Sequence, residues 1–101
     1  MAGYVGQARL HVIGHGLEIN PLFMWFVYIL RCSDGNLYTG CTSDIAERLK
    51  RHNAGYVPAT KPRLPVVLIT YIAFTEEHKA FAFEKYLKSG SGRAFLNKRL
   101  I

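Results

Sequence analysis

The stretch Trp25-Phe-Val-Tyr-Ile-Leu-Arg-Cys32 constrains this chain more than any other. It is aromatic and aliphatic almost throughout, and it stops at Ser33-Asp34-Gly35-Asn36. Side chains of the first kind fit a pleated, buried strand. Asp, Gly and Asn supply a tight turn, glycine taking positive φ at no steric cost. Leu37-Tyr-Thr-Gly-Cys41 then returns as the second strand of a hairpin. The longest apolar run, Leu22 to Leu30, is nine residues, where a membrane-spanning helix needs about 20.

A hairpin alone is marginal in water, so the rest of the chain has to cover it. Thr42 or Ser43 can cap a first helix, with Asp44 favourable at its positive end, and the helix runs to about Asn53-Ala54-Gly55. A loop follows with Pro58, Pro62 and Pro65. Val66 to Phe74 reads as a third strand, apolar at nearly every position and therefore expected in the centre of the sheet. Thr75 caps a second helix that ends near Lys88-Ser89-Gly90, and after a Gly90-Ser-Gly92 break a short final helix spans Arg93 to Ile101. The expected class is a small α/β (α+β) domain: a three-stranded sheet flanked by helices, in the order β-β-α-β-α-α. A chain of 101 residues, half of them hydrophobic, can bury one modest core of this kind.

Residues 1–23 differ. They hold four glycines, scattered histidines and no period of 2 or 3.6. They are expected to form an N-terminal extension, with the domain occupying 24–101. They have no continuous apolar core of the secretory type, which points to a cytoplasmic protein and to Cys32 and Cys41 as reduced thiols. The two cysteines also lack the clustered spacing of a zinc site.

Charge narrows the class of partner. Thirteen Lys and Arg against seven Asp and Glu give +6. Because residues 1–23 contain only Arg9 and Glu18, the whole surplus (12 against 6) lies in 24–101. Such a domain attracts polyanions, of which nucleic acid is the commonest in a cell. Lys50 and Arg51 on the first helix and Lys61 and Arg63 in the proline loop are the expected phosphate contacts; a solvated basic face is the plainer account.

Several residues run against this pattern. Glu84 shares a helix face with Ala80, Phe83 and Leu87. A carboxylate there needs a partner, a metal or a raised pKa. Pairing with a lysine at the rim is the ordinary explanation. Arg48 and His52 lie four apart beside the Ile45 and Leu49 stripe, suited to phosphate contact and proton transfer. Tyr28 and Tyr38 can share one face of the hairpin, depending on its register. Together these groups have what phosphodiester hydrolysis requires: a base for water, an arginine for developing charge, and a carboxylate for a cation.

Val27-Tyr28-Ile29 and Tyr38-Thr39-Gly40 resemble the two motifs of the GIY-YIG endonuclease superfamily, with Val27 where the first motif carries glycine and Thr39 where the second carries isoleucine. Thr42 to Gly55 resembles that family's first helix, the Glu84 helix its metal-binding helix, and Lys88-Ser-Gly-Ser-Gly-Arg93 the tail of its small stand-alone bacterial (UPF0213-like) branch. The resemblance covers about residues 25–99. It implies that Tyr28, Tyr38, Arg48, His52 and Glu84 are catalytic, Glu84 holding one Mg²⁺ or Mn²⁺ ion. It also implies that Gly40 admits backbone or substrate and that Asn97 contacts phosphate. Tyr28 is the expected activator of water and Tyr38 the positioner. A free phenol titrates near 10, so His52 or the cation field must lower the Tyr28 pKa or relay its proton. The implied activity is metal-dependent cleavage of nicked, branched or single-stranded DNA in repair or processing, more plausibly than RNA. A non-catalytic nucleic-acid-binding module is the alternative. A chain this small presents a limited interface, so a homodimer or a recruiting protein is a further expectation.

Overall fold

The computed structural model describes residues 24–101; the expected N-terminal extension lies outside them. Strands β1 (Trp25–Arg31) and β2 (Leu37–Thr42) form the expected hairpin, with Arg31 opposite Leu37 and Tyr28 opposite Gly40. The turn is closed by Cys32 N–H donating to the Asn36 carbonyl at 2.8 Å and Gly35 N–H to the Cys32 carbonyl at 2.9 Å. Gly35 has a φ of +85°, which strongly favours glycine. Helix α1 (Ile45–Asn53) follows, then a single 3₁₀ turn at Lys61–Arg63. Strand β3 (Val67–Phe74), α2 (Glu77–Leu87) and α3 (Gly90–Arg99) complete the order β-β-α-β-α-α.

The sheet order is β2-β1-β3, antiparallel throughout. β1, not β3, is therefore central, correcting the expectation from the apolar run. Val67 is 62% exposed and Tyr71 51% exposed, as an edge position allows. Val27 to Leu30 of β1 are buried in succession, as are Thr39 to Thr42 of β2, whereas β3 has no buried residue. Successive side chains of a strand alternate between faces, and β1 uses both. Val27 and Ile29 pack with Cys41, Ala80, Leu87 and Leu96 beneath α2 and α3. Tyr28 and Leu30 pack with Cys32 and Val66 beneath Ile45 and Leu49 of α1. Cys32 and Cys41 thus belong to opposite layers, and both are free and buried.

Helix boundaries differ from expectation by a few residues, each for a local reason. Asp44 rather than Thr42 or Ser43 caps α1, its Oδ1 accepting from Glu47 N–H at 3.0 Å, while Thr42 Oγ1 accepts from Asp44 N–H at 3.1 Å. The α2 cap is Glu76, not Thr75, and it makes no side-chain capping bond. Gly90-Ser-Gly92 is no break. It is the first turn of α3, because Ser89 Oγ accepts from Gly92 N–H at 3.1 Å and caps the helix. Gly92 also sits where a Cβ would fall on the Tyr86 carbonyl, so α2 and α3 cross there in direct backbone contact.

Candidate active site

The hairpin register sets Tyr28 and Tyr38 on adjacent strands and on one face, Tyr38 lying opposite Leu30. Their ring centroids are 6.3 Å apart. Gly40, opposite Tyr28, explains how the phenol fits: a Cβ there would overlap the Tyr28 ring. The group that approaches Gly40 is therefore the Tyr28 side chain, and Gly40 itself is buried. That displaces the expectation that Gly40 lies open to nucleic acid.

α1 adds the next members. His52, expected at the flank of the core face, is wholly buried at 0% exposure. Its imidazole lies edge-on to both tyrosines, 5.7 Å from the Tyr28 ring and 5.2 Å from the Tyr38 ring. Nε2 is 2.9 Å from the Tyr28 hydroxyl and Nδ1 is 2.7 Å from Thr60 Oγ1. Thr60 is also 0% exposed. Sequence reasoning missed it, since a threonine in a proline-rich loop looks solvated; its place eight residues after His52 was the only clue.

Arg48 and Tyr38 are half-buried and form the outer part of the group. Burial pushes the Tyr28 phenol up to about 12, against the opposing pull of the nearby Arg48 guanidinium. In the protein alone the Tyr28 pKa is therefore raised rather than lowered, and of the two routes open to this tyrosine the contact with His52 fits the relay. Burial first, and Arg48 second, hold the His52 pKa below its usual value, so the imidazole is neutral near pH 7.

Glu84 stands on α2, the helix of the opposite layer, yet its charge bears on both Tyr28 and Cys41. Its side chain is only 18% exposed, and Oε2 accepts from Lys88 Nζ at 3.0 Å, the lysine pairing that a rim position suggests. Oε1 has no hydrogen-bond partner among the described residues. Among those residues no cluster of three or more His, Cys, Asp or Glu exists. One carboxylate with a free oxygen suits an ion such as Mg²⁺, which keeps several waters and binds through one or two carboxylates plus substrate phosphate.

The basic residues divide. Lys50, Arg51 and Lys61 are exposed, as is Asn97 on α3. Arg63 is partly committed within the protein: Nε pairs with Asp34 at 2.9 Å and Nη1 donates to the Ala59 carbonyl at 3.3 Å. With Ser33 N–H donating to the Arg63 carbonyl at 2.9 Å, this residue ties the loop to the hairpin turn. No helix among the described residues is long and apolar enough to cross a membrane.

Comparison with known proteins gives a consistent result. The GIY-YIG catalytic domain matches residues 24–99. A UPF0213 protein of Streptococcus agalactiae is 42% identical over 72 residues, covering 70% of this chain and 82% of its own. A UPF0213 protein of Lactococcus lactis is 43% identical over 65 residues, 63% of this chain and 62% of the relative. A UPF0213 protein of Bacillus halodurans, solved by solution NMR, is 35% identical, with 74% of this chain and 83% of that one covered at a TM-score of 0.48.

Proposed function

Because the chain belongs to the GIY-YIG family, a nuclease superfamily, we propose that it is a metal-dependent endonuclease hydrolysing phosphodiester bonds in DNA. The observation that supports this most directly is the 2.9 Å contact between the Tyr28 hydroxyl and His52 Nε2, beside Arg48. A phenol that holds its proton up to about 12 is a poor base alone. It becomes a usable one when its proton can pass to a neutral imidazole as it receives another.

In this reading the substrate phosphate docks against Arg48 and Tyr38. Arg48 leaves the Tyr28 phenol for the phosphate and neutralises its developing charge, which opens the phenol to water. Water gives one proton to the Tyr28 oxygen while the Tyr28 proton moves to His52 Nε2. The resulting hydroxide bonds to phosphorus, the P–O3′ bond breaks, and the departing oxygen takes a proton from solvent. Glu84 would hold a single Mg²⁺ or Mn²⁺ ion, which supplies charge stabilisation at the departing oxygen when bound. Lys50, Arg51, Lys61 and Asn97 extend the contact along the backbone. Repair or processing of nicked, branched or single-stranded DNA in the cytoplasm suits a site beside which the described residues place neither a recognition helix nor a zinc cluster. A recruiting protein or a second copy would supplement its small interface.

The test is cleavage of labelled single-stranded, duplex, nicked and branched DNA, with RNA alongside, in Mg²⁺, Mn²⁺ or EDTA. Metal-dependent products that fall at least 100-fold (~10²) in both Glu84→Ala and Tyr28→Phe are expected. Folded wild-type protein that binds these substrates and cuts none would make this a binding module.

A further inference from the structure

We propose that Thr60 is a positioning residue of this site, holding His52 in the tautomer whose bare Nε2 receives the Tyr28 proton. The inference rests on the nuclease reading for its catalytic meaning and on geometry for the tautomer.

The Tyr28 end of the imidazole selects that tautomer, and Thr60 is placed to support it. Thr60 Oγ1 lies 2.7 Å from His52 Nδ1 and 3.5 Å from the Val57 carbonyl, the second distance being long for an O–H donor. A hydroxyl donates or accepts as its partner requires, so Thr60 meets an Nδ1–H by accepting from it. At the other end, the Tyr28 hydroxyl faces Nε2 at 2.9 Å, and among the described residues it has no other acceptor. Its other neighbour, Arg48, only donates. A hydrogen on Nε2 would leave the phenol proton without a partner in a buried site, a costly arrangement. The order of donation runs Tyr28 O–H to Nε2, then Nδ1–H to Thr60 Oγ1, leaving the Thr60 O–H directed toward the Val57 carbonyl.

The same order serves the charged state. When Nε2 takes up the Tyr28 proton, the imidazolium donates from both nitrogens, and each already faces an oxygen. No side chain has to turn. The Thr60 Oγ1 lone pair then meets a stronger donor, which favours His52 as proton acceptor. The backbone fixes Thr60 in this role. Thr60 N–H and Lys61 N–H both donate to the Val57 carbonyl, at 3.1 and 2.9 Å, and Arg63 N–H donates to the Thr60 carbonyl at 2.8 Å. A short loop thus supplies a rigid oxygen eight residues from the histidine it orients.

The tautomer is read directly from long-range ¹H–¹⁵N correlations of the histidine rings in the wild-type protein near pH 7.5, with His52→Gln identifying the signals. The expected pattern is Nδ1 protonated and Nε2 bare. Finding the proton on Nε2 overturns the proposal without recourse to any variant. Thr60→Val, which keeps the shape and removes the hydroxyl, is expected to shift the equilibrium toward Nε2–H, and Thr60→Ser to restore Nδ1–H. In the cleavage assay Thr60→Val is expected to lower kcat by roughly 10- to 100-fold with little change in KM, as removal of an orienting hydrogen bond does, and Thr60→Ser to recover it. A Thr60→Val protein with unchanged tautomer and unchanged kcat overturns the proposal. Wild-type protein that shows the Nδ1–H form yet cleaves nothing overturns the nuclease reading, and with it the catalytic meaning of Thr60, while the tautomer stands on its own measurement.

Discussion

At the scale of single residues, the site is built by exclusion as much as by attraction. Gly40 matters because the Tyr28 phenol occupies the space a Cβ would need. Gly40→Ala is expected to cost about 1–3 kcal/mol, as overpacking of a close-packed interior does, and to lower cleavage by displacing the phenol. Urea unfolding and the cleavage assay measure the two losses, and a fully stable, fully active Gly40→Ala would refute the role. His52 makes a pH prediction whose sign is fixed. Its folded pKa lies below the ordinary 6.5, so under acid the unfolded chain binds a proton that the folded one refuses. Stability contributed by neutral His52 is full above about 6.5 and declines as pH falls from there toward the folded pKa. Urea unfolding at about pH 7.5 and about pH 5.5 should show a smaller acid loss in His52→Gln than in wild type; equal losses would remove His52 as the cause. Glu84 was legible as a carboxylate set in an apolar stripe, whereas Tyr28, Tyr38, Arg48 and His52 are ordinary for a strand pair and a basic helix and became candidates through the resemblance of their motifs. Thr60 was not legible. A threonine between Ala59 and Lys61 carries no local sign that the loop will turn it inward.

At the scale of elements, the sequence spoke clearly where periodicity and turn chemistry agreed and misled where only composition was available. The hairpin turn and the existence of α1 and α2 followed from turn and stop residues, although each N-cap lies one or two positions from the one expected. The place of β3 did not follow. An uninterrupted apolar run states that a strand is partly covered, but strand order depends on how the segment from α1 to Pro65 delivers the chain back to the sheet. Here it returns beside β1, antiparallel, with an irregularity of register between Ile29 and Leu30. The start of α3 was obscured for a related reason: Gly-Ser-Gly is a frequent loop composition, and only Ser89's capping bond and the α2 crossing make it helical. The two glycines should separate on substitution. Gly90 has open space where a Cβ would go, so Gly90→Ala should raise stability by about 0.4–1 kcal/mol through the unfolded chain. Gly92→Ala should lower it by about 1–3 kcal/mol by forcing the helices apart. Thermal melts of the pair check the contrast, and a Gly92→Ala protein as stable as wild type would contradict the crossing.

At the scale of the whole molecule, the +6 charge was legible from composition, whereas its division into free and committed cations required the fold. Lys50 and Arg51 are open to a polyanion, while Arg63 is held by Asp34. Removing Lys50 or Arg51 should weaken DNA binding evenly across sequences and reduce the slope of log K against log salt by about 1 for each phosphate no longer neutralised. Arg63→Ala should change that slope less; titrations at several salt concentrations decide, and equal slopes in all variants would place the DNA elsewhere. The interior has its own division. The layer beneath α2 and α3 is built from apolar side chains, and the other carries phenol, imidazole and hydroxyl linked in series. Apolar groups of matching shape in place of a buried polar set are often neutral or stabilising. Selection for sturdiness alone would therefore erode this series first, putting phenylalanine in place of Tyr28, an apolar side chain in place of His52 and valine in place of Thr60. A heat-resistant, silent descendant would be the natural product of relaxed demand.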